Sequence, residues 1–235
     1  TIEARKKLVA RTKKYLQQLG EDAQDDPNLL ADMALVERRL GDISGNPQQP
    51  NIGDTPAARL HYQRAEHLSR RAVALRPGDR KLLLGLALTL SARGTFAFWD
   101  DDLKLAESAY RDAIPLFAAE LKRNPDNKDL SLQHDSAVIG LGDVQHWNGQ
   151  LNEALATYDS VCNARVIAAA KDPALLGSAG ICHTRRADTL AWLERYPEAT
   201  KEIELALAID EANMKKSPTD NHYAHGYIVT QSKRG

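Results

Sequence analysis

The sequence predicts an all-α fold, a solenoid of antiparallel helix pairs, and two observations support this prediction. Five prolines punctuate the chain at intervals of 50, 48, 48 and 45 residues: Pro27, Pro77, Pro125, Pro173 and Pro218. Self-similarity at a fixed spacing is typical of stacked supersecondary units. Between these markers, apolar residues recur at i, i+3, i+4 and i+7, as on a helix face, and no stretch alternates long enough for a strand. Each helix pair therefore has apolar faces that only a neighbouring pair can cover.

The repeat divides the chain into elements in order. Residues 1–20 are predicted to form the closing helix of a preceding unit, and four long helix pairs follow at 27–77, 78–125, 126–173 and 174–218. A terminal capping helix at 219–235 would complete a single domain, 1–235, of nine or ten helices. Asp100 to Asp102 begin a helix, where negative charge caps the free amides, although a cation site is the alternative. Asn148-Gly149 predicts a turn between two helices.

Composition excludes several classes of protein. The 235 residues contain 31 Lys and Arg against 32 Asp and Glu, so the chain has no basic field of the kind that nucleic acid attracts. The longest uncharged apolar stretch, Leu82 to Ala92, is about half of what a bilayer span requires, so we expect no insertion into a membrane by this segment. The two cysteines exclude a disulfide-dense scaffold and lack the spacing of a zinc site. The chain opens at Thr1 rather than Met, which indicates a piece of a longer polypeptide.

Other residues keep the register of the prolines. A small residue is followed after 12 positions by Ala and after 16 by an aromatic, as in Gly94, Ala106 and Tyr110. This order resembles the tetratricopeptide repeat (TPR), whose unit has 34 residues; seven further residues in each helix give the 48 observed here. The resemblance implies a right-handed α-solenoid whose groove, lined by the first helix of each pair, binds a protein or peptide.

A narrower resemblance lies in the first third of the chain. It is similar to the long-helix repeats found after the catalytic domain of many bacterial serine/threonine kinases, in the segments Ala4–Val9, Asp25–Pro27, Arg39–Asp42, Gly45–Pro47 and Asn51–Thr55. In those proteins a membrane span commonly precedes the repeats, which implies a periplasmic or otherwise extracytoplasmic sensor. A cytoplasmic location is the alternative, because similar repeats also follow bacterial DNA-binding domains.

No catalytic motif is present. The chain has no phosphate-binding P-loop, nucleophile elbow, metalloprotease motif or kinase signature, so we predict no catalysis and no cofactor. His222 and His225 could share a helix face, but no third ligand accompanies them, and we predict no metal site. Gly140 and Gly142 follow no strand and are interpreted as small residues at close helix packing.

The tryptophans are the strongest functional signal. Trp99, Trp147 and Trp192 each lie five residues after the small marker, and thus occupy one repeat-equivalent position. By the TPR resemblance they would face the groove together with Arg38, Asp42, Thr95, Phe98, Ile139, Asp143, His146, Thr184 and Asp188. Such aromatic residues rimmed by carboxylates suit an extended peptide or a partner helix bearing Lys or Arg. The alternative is that the lengthened second helices cover the rings, which would then be core.

Two smaller features leave alternatives open. The polar insertion at 45–53 is either a recognition loop, through Asn46, Gln48, Gln49 and Asn51, or a spacer. Cys162 and Cys182 lie ten residues either side of Asp172. If Asp172 and Pro173 form the turn between antiparallel helices, the two thiols stand at the same height on adjacent helices. They are either bonded in an oxidising compartment or are two small buried residues.

The sequence thus predicts a non-catalytic module that binds a protein or peptide, as the sensor or regulatory part of a larger signalling protein. A small-molecule or metal sensor that uses the same cavity is one alternative. A self-associating scaffold, such as a homodimer, is the other.

Overall fold

The computed structural model describes residues 2–7, 9–12, 26–169, 176–216, 227–228 and 230–232. These residues form helices joined by turns, with no strand among them, so the all-α prediction is confirmed for this part of the chain. Residues 2–7, 9–12, 227–228 and 230–232 are helical, and the longer helices are α1 (Pro27–Gly45), α2 (Thr55–Leu75), α3 (Arg80–Trp99), α4 (Leu103–Leu121), α5 (Lys128–Trp147), α6 (Leu151–Ala169), α7 (Leu176–Trp192) and α8 (Tyr196–Lys216).

The chain forms two compact units, Thr1–Gly140 and Leu141–Gly235. In the first unit α1 packs on α2 and α3 on α4, and α3 also packs against both α1 and α2. In the second unit α7 packs on α8 and α6 on α7. Helix pairs are therefore covered by the next pair in sequence order within each unit, as in TPR-like solenoids. At the end of the second unit, Tyr227 packs on a cluster formed by Ala187, Ile203 and Leu207.

The helices of the first unit begin at aspartate caps. Asp26, Asp54, Asp79 and Asp102 each accept a hydrogen bond from a backbone amide in the first turn of α1, α2, α3 and α4, respectively. Such a cap satisfies amides that have no partner within the helix. Within the acidic run at Asp100 to Asp102, Asp102 thus caps α4, as predicted, while the Asp100 carboxylate pairs with Arg59.

The three tryptophans end α3, α5 and α7, and each is followed by the same turn. The second residue after the tryptophan has a positive φ: 62° at Asp101, 76° at Gly149 and 59° at Glu194. The amide one position further donates to the carbonyl two residues before the tryptophan, at 2.9 Å in all three turns. This left-handed C-cap closes a helix without help from the tryptophan ring.

Two His–Glu pairs, the first buried and the second partly buried, occupy equivalent positions with their partners exchanged. In the first hairpin, Glu37 of α1 lies 2.5 Å from Nδ1 of His61 on α2. In the last, His183 of α7 lies 2.6 Å from Glu202 of α8. Each first-helix member is four residues before the small marker, Gly41 or Ala187. The same contact between helices is therefore made whichever helix carries the histidine and whichever the glutamate.

By length and composition alone, α3 is apolar enough to cross a membrane, with a mean hydropathy of 1.4 over its best window. The uncharged run of 82–92 is shorter than the apolar part of this helix, because apolar residues continue beyond Arg93 to Trp99. Half of that window is buried in the structure, as in the core helix of a globular protein.

The turn that follows each tryptophan predicts opposite effects on stability for substitutions to glycine and from glycine. Glu194→Gly and Asp101→Gly should each raise the free energy of unfolding by about 0.5–1 kcal/mol, because only glycine adopts positive φ without steric strain. Gly149→Ala, the matched reverse exchange, should lower it by about 1 kcal/mol. Calorimetric melting of the three variants checks this, and a lower melting temperature for Glu194→Gly would contradict the turn geometry.

Candidate functional site

A tyrosine of each second helix seats on the small residue of the first helix in three hairpins. The three pairs are Tyr62 on Gly41, Tyr110 on Gly94 and Tyr158 on Gly142. A Cβ atom added at Gly142 would come 2.4 Å from the Tyr158 ring, and one at Gly41 or Gly94 would come 3.0 Å from its tyrosine. A Cβ at Gly142 would therefore force the Tyr158 ring to move, whereas one at Gly41 or Gly94 would require the tyrosine to give by a few tenths of an ångström.

The hydroxyl of each tyrosine bonds to the residue that follows the glycine. Tyr62 donates to Asp42 at 2.7 Å and Tyr158 to Asp143 at 2.8 Å, while the Tyr110 and Thr95 hydroxyls lie 3.0 Å apart. Burial raises the pKa of Tyr62 and of Tyr158 far above the ordinary value, so both phenols stay protonated donors.

Three residues predicted to line the groove, Asp42, Thr95 and Asp143, thus hold the two helices of a hairpin together. The expectation that Asp42 rims a groove is wrong: it is only 5% exposed and also accepts a bond from Asn46. Thr95 is half-buried and bonds to Tyr110 and to the Ser91 carbonyl. Side chains that share a helix face can point to the partner helix or to solvent. Sequence spacing does not distinguish these two orientations.

Asp143 has a second partner in the next hairpin. Its Oδ1 lies 2.7 Å from Nε of Arg185 on α7. Burial raises the pKa of Asp143, while Arg185 and Tyr158 act in the opposite direction. Burial by itself would lower the pKa of Arg185, but Asp143 and Tyr158 act in the opposite direction and the net shift is upward. Asp188, another predicted groove residue, adds to that upward shift. The Asp143 carboxylate, which was predicted to face a ligand, is therefore neutralised by Arg185 within the protein.

The remaining predicted groove residues vary in exposure. Ile139 is buried, so its assignment to an open groove is wrong. Thr184 is half-buried and donates to the Gly180 carbonyl. Arg38 is half-buried, and burial lowers its pKa.

All three tryptophans lie at the surface. Trp99 is 58% exposed, Trp147 66% and Trp192 69%, so the alternative that they form the core is wrong. Phe98 and Trp99 form a T-shaped pair with ring centroids 5.7 Å apart.

In the second unit, the His146 ring forms T-shaped pairs with both Trp147 and Trp192, with ring centroids 5.9 and 6.0 Å apart. Its Nδ1 lies 3.0 Å from the Thr189 hydroxyl, which fixes the ring. His146, Trp147 and Trp192 are named the aromatic patch below.

The insertion loop is shaped by its asparagines. Asn46 is buried and bonds to Asp42, and its side-chain oxygen accepts from the Gln48 amide. Asn51 donates to two loop carbonyls, of Asn46 and Gln49. The two asparagines are thus structural, which corrects their assignment as recognition residues. Gln48 and Gln49 remain exposed.

Gly140 and Gly142 serve two different tyrosines. A Cβ atom at Gly140 would come 2.4 Å from the Tyr110 ring, within the first unit, as one at Gly142 would from Tyr158 in the second. The interpretation of these glycines as close packing positions is confirmed.

A cleft of about 230 Å³ lies between α1 and α3 in the first unit. Of the predicted groove residues only Arg38 lines it; the apolar wall includes Leu35, Leu84 and Leu88. Sequence reasoning missed this cleft, and the available signal was Gly85, a glycine inside an otherwise apolar helix.

Cys162 of α6 and Cys182 of α7 form a disulfide bond, so the structure adopts the bonded alternative. In the described ranges no three His, Cys, Asp or Glu side chains are grouped to hold a metal ion. His222 and His225 lie outside the described residues.

No family model matches the chain, and no curated protein matches it. Among solved structures, the chain is similar to the crystal structure of YrrB, described as a TPR protein with an unusual peptide-binding site. The two share 16% sequence identity over 96% of this chain and 98% of YrrB, with a TM-score of 0.38.

The glycine contacts predict opposite signs for one exchange at two first-helix positions. Gly142→Ala should destabilise the protein by about 1–3 kcal/mol, because the methyl group displaces Tyr158 from a packed site. Gly85→Ala, where nothing lies within 4 Å of an added Cβ, should stabilise it by about 0.5–1 kcal/mol through helix propensity. Denaturant unfolding of both variants measures this. A neutral Gly142→Ala would contradict the packing of Tyr158.

Proposed function

We propose that this chain is a non-catalytic module that binds a protein or peptide segment. We propose further that it is the sensor or regulatory region of a larger bacterial signalling protein, such as a serine/threonine kinase. The observation that carries the proposal is the exposure of tryptophan at the same position in three successive hairpins.

The turns that follow the tryptophans close without these rings. Each turn after a tryptophan is closed by backbone hydrogen bonds, and each ring is more than half exposed. Tryptophan offers a large contact area at small entropic cost and is enriched among residues that dominate binding energies. Three tryptophans that are exposed at repeat-equivalent positions therefore support a binding role.

The aromatic patch indicates the chemistry of the partner. Because Asp143 is paired with Arg185, ring faces rather than a free carboxylate present the negative potential. A Lys or Arg side chain of a peptide or helix binds such faces by cation–π attraction.

The parent protein and compartment are proposed from two features. The segments of the first third that resemble the repeats found after kinase catalytic domains favour a regulatory region behind a kinase domain. The disulfide between α6 and α7 favours an extracytoplasmic location, because cytosolic thiols are kept reduced.

Trp147→Ala tests the binding role. Partner capture from the source cells should fall at least tenfold relative to the unmodified protein, as for a truncated hot-spot residue. The free energy of unfolding should change by less than about 1 kcal/mol, as for a surface position. The matched control is Ile167→Ala, since Ile167 is 62% exposed on α6. Quantitative mass spectrometry compares the captures; unfolding of Trp147→Ala, or equal losses in both variants, would refute the proposal.

The disulfide provides a test of compartment. Thiol labelling of the protein in its native cells should modify Cys162 and Cys182 only after reduction. Replacing both by serine should lower the free energy of unfolding by about 3 kcal/mol under oxidising conditions, because the crosslink restricts the unfolded chain. A reductant should lower the melting temperature of the unmodified protein and leave that of the serine variant unchanged. Two free thiols in native cells would favour the cytoplasmic alternative.

A further inference from the structure

We infer that the cleft between α1 and α3 is an anchor site for a partner polypeptide. It receives one large apolar side chain, and Arg38 binds a side-chain carboxylate next to that residue. The inference rests on the proposed binding function but uses none of the residues of the aromatic patch.

Gly85 is the first observation that supports an occupant. Of the helical glycines whose surroundings the structure describes, it alone has nothing within 4 Å of an added Cβ. The others are contacted by a neighbouring helix or turn, for example Gly94 by Tyr110 and Gly180 by Ile209. A glycine inside a helix costs about 1 kcal/mol relative to alanine. Here neither packing nor backbone conformation requires it, and what it provides is open space in the cleft.

The floor of the cleft indicates that the inserted group is apolar. Its two hydroxyls satisfy each other and the backbone, since Ser69 donates to Thr89 at 3.2 Å and Thr89 to the Gly85 carbonyl at 2.9 Å. The walls are mainly aliphatic, from Ala31, Leu35, Leu84 and Leu88. An inserted polar group would lose its water without gaining a partner.

The size of the cleft favours a side chain over a complete small molecule. Its volume is about 230 Å³, whereas pockets for drug-sized ligands are about 300–1,000 Å³. Hydrophobic anchors that fill such pockets are common centres of binding energy at protein interfaces.

The charges at the cleft favour an acidic neighbour for that anchor. The residues that line the cleft include two basic side chains, Arg38 and Lys81, and one acidic side chain, Asp32. Arg38 is half-buried and makes no ion pair within the described part of the chain. Burial lowers its pKa, and the charge of the buried Asp42 acts in the opposite direction. A partner carboxylate in the cleft would add a direct ion pair to Arg38. The neighbouring Arg39 lies 3.7 Å from Asp42 and does not line the cleft, so it is a matched control.

The probe is a hexapeptide with Phe followed by Glu, acetylated and amidated so that the only carboxylate is the Glu side chain. Titration into the full chain, labelled at leucine methyl groups, should shift the signals of Leu35, Leu84 and Leu88. A dissociation constant on the order of 1 mM is expected for so short a peptide. Changing its Glu to Gln should weaken binding about three- to fivefold, as for a partly exposed ion pair, and changing its Phe to Ala should abolish the shifts.

Variants of the protein assign these effects to residues. Gly85→Leu should fill the cleft and abolish binding while the helical circular dichroism and melting remain, because an added Cβ meets nothing. Arg38→Gln should bind the Glu and Gln peptides equally, whereas Arg39→Gln should keep the preference for Glu.

Several outcomes would overturn the inference. Binding by Gly85→Leu equal to that of the unmodified protein would exclude the cleft, and equal affinity of the unmodified protein for both peptides would exclude the role of Arg38. A homodimer that Gly85→Leu converts to a monomer would show that a second copy occupies the cleft. Peptide binding can fail while Trp147-dependent capture persists, in which case this inference fails alone; if both fail, so does the proposed function.

Discussion

A tyrosine ring packed on a glycine holds three of the hairpins together, and the rest of the structure depends on that contact. The glycine lets the two helices approach, the ring fills the space, and the buried hydroxyl bonds to the next side chain of the first helix. These requirements tie together residues 16 to 21 positions apart. The last hairpin has Ala187 and Ile203 at these positions, and Tyr227 packs on the cluster that they form with Leu207. An aliphatic contact there replaces the hydrogen-bonded one.

The contact also explains why potential ligand groups are divided between structure and surface. Asp42, Thr95 and Asp143 bond to the tyrosines, so their polar atoms are used within the hairpin. The tryptophans lie one turn further on, beyond the end of the packed region, where the backbone closes the turn without them. A single first helix can thus contribute to packing along most of its length and to recognition at its end.

The fold class was predictable because helix packing leaves a periodic mark on the sequence. The spacing of glycine, alanine, tyrosine and proline sets which residues meet, and the described helices follow it. The site was less predictable. Spacing placed Asp42 and Trp99 on the same face, but the direction of a side chain within that face depends on its neighbours in three dimensions. The cleft at Gly85 was missed because a space between helices has no sequence period, and Asn46 was misassigned because a polar side chain can bond to its own loop.

The exchanged His–Glu pairs bear on how such repeats diverge. Glu37 faces His61 in one hairpin, and His183 faces Glu202 in another. A chimera that joined α1 to α8 would set two carboxylates against each other, and one that joined α7 to α2 would set two imidazoles together. Intact hairpins can be duplicated or recombined without that conflict, whereas single helices cannot. The His–Glu pair thereby makes the hairpin, rather than the helix, the unit that gene rearrangement can exchange.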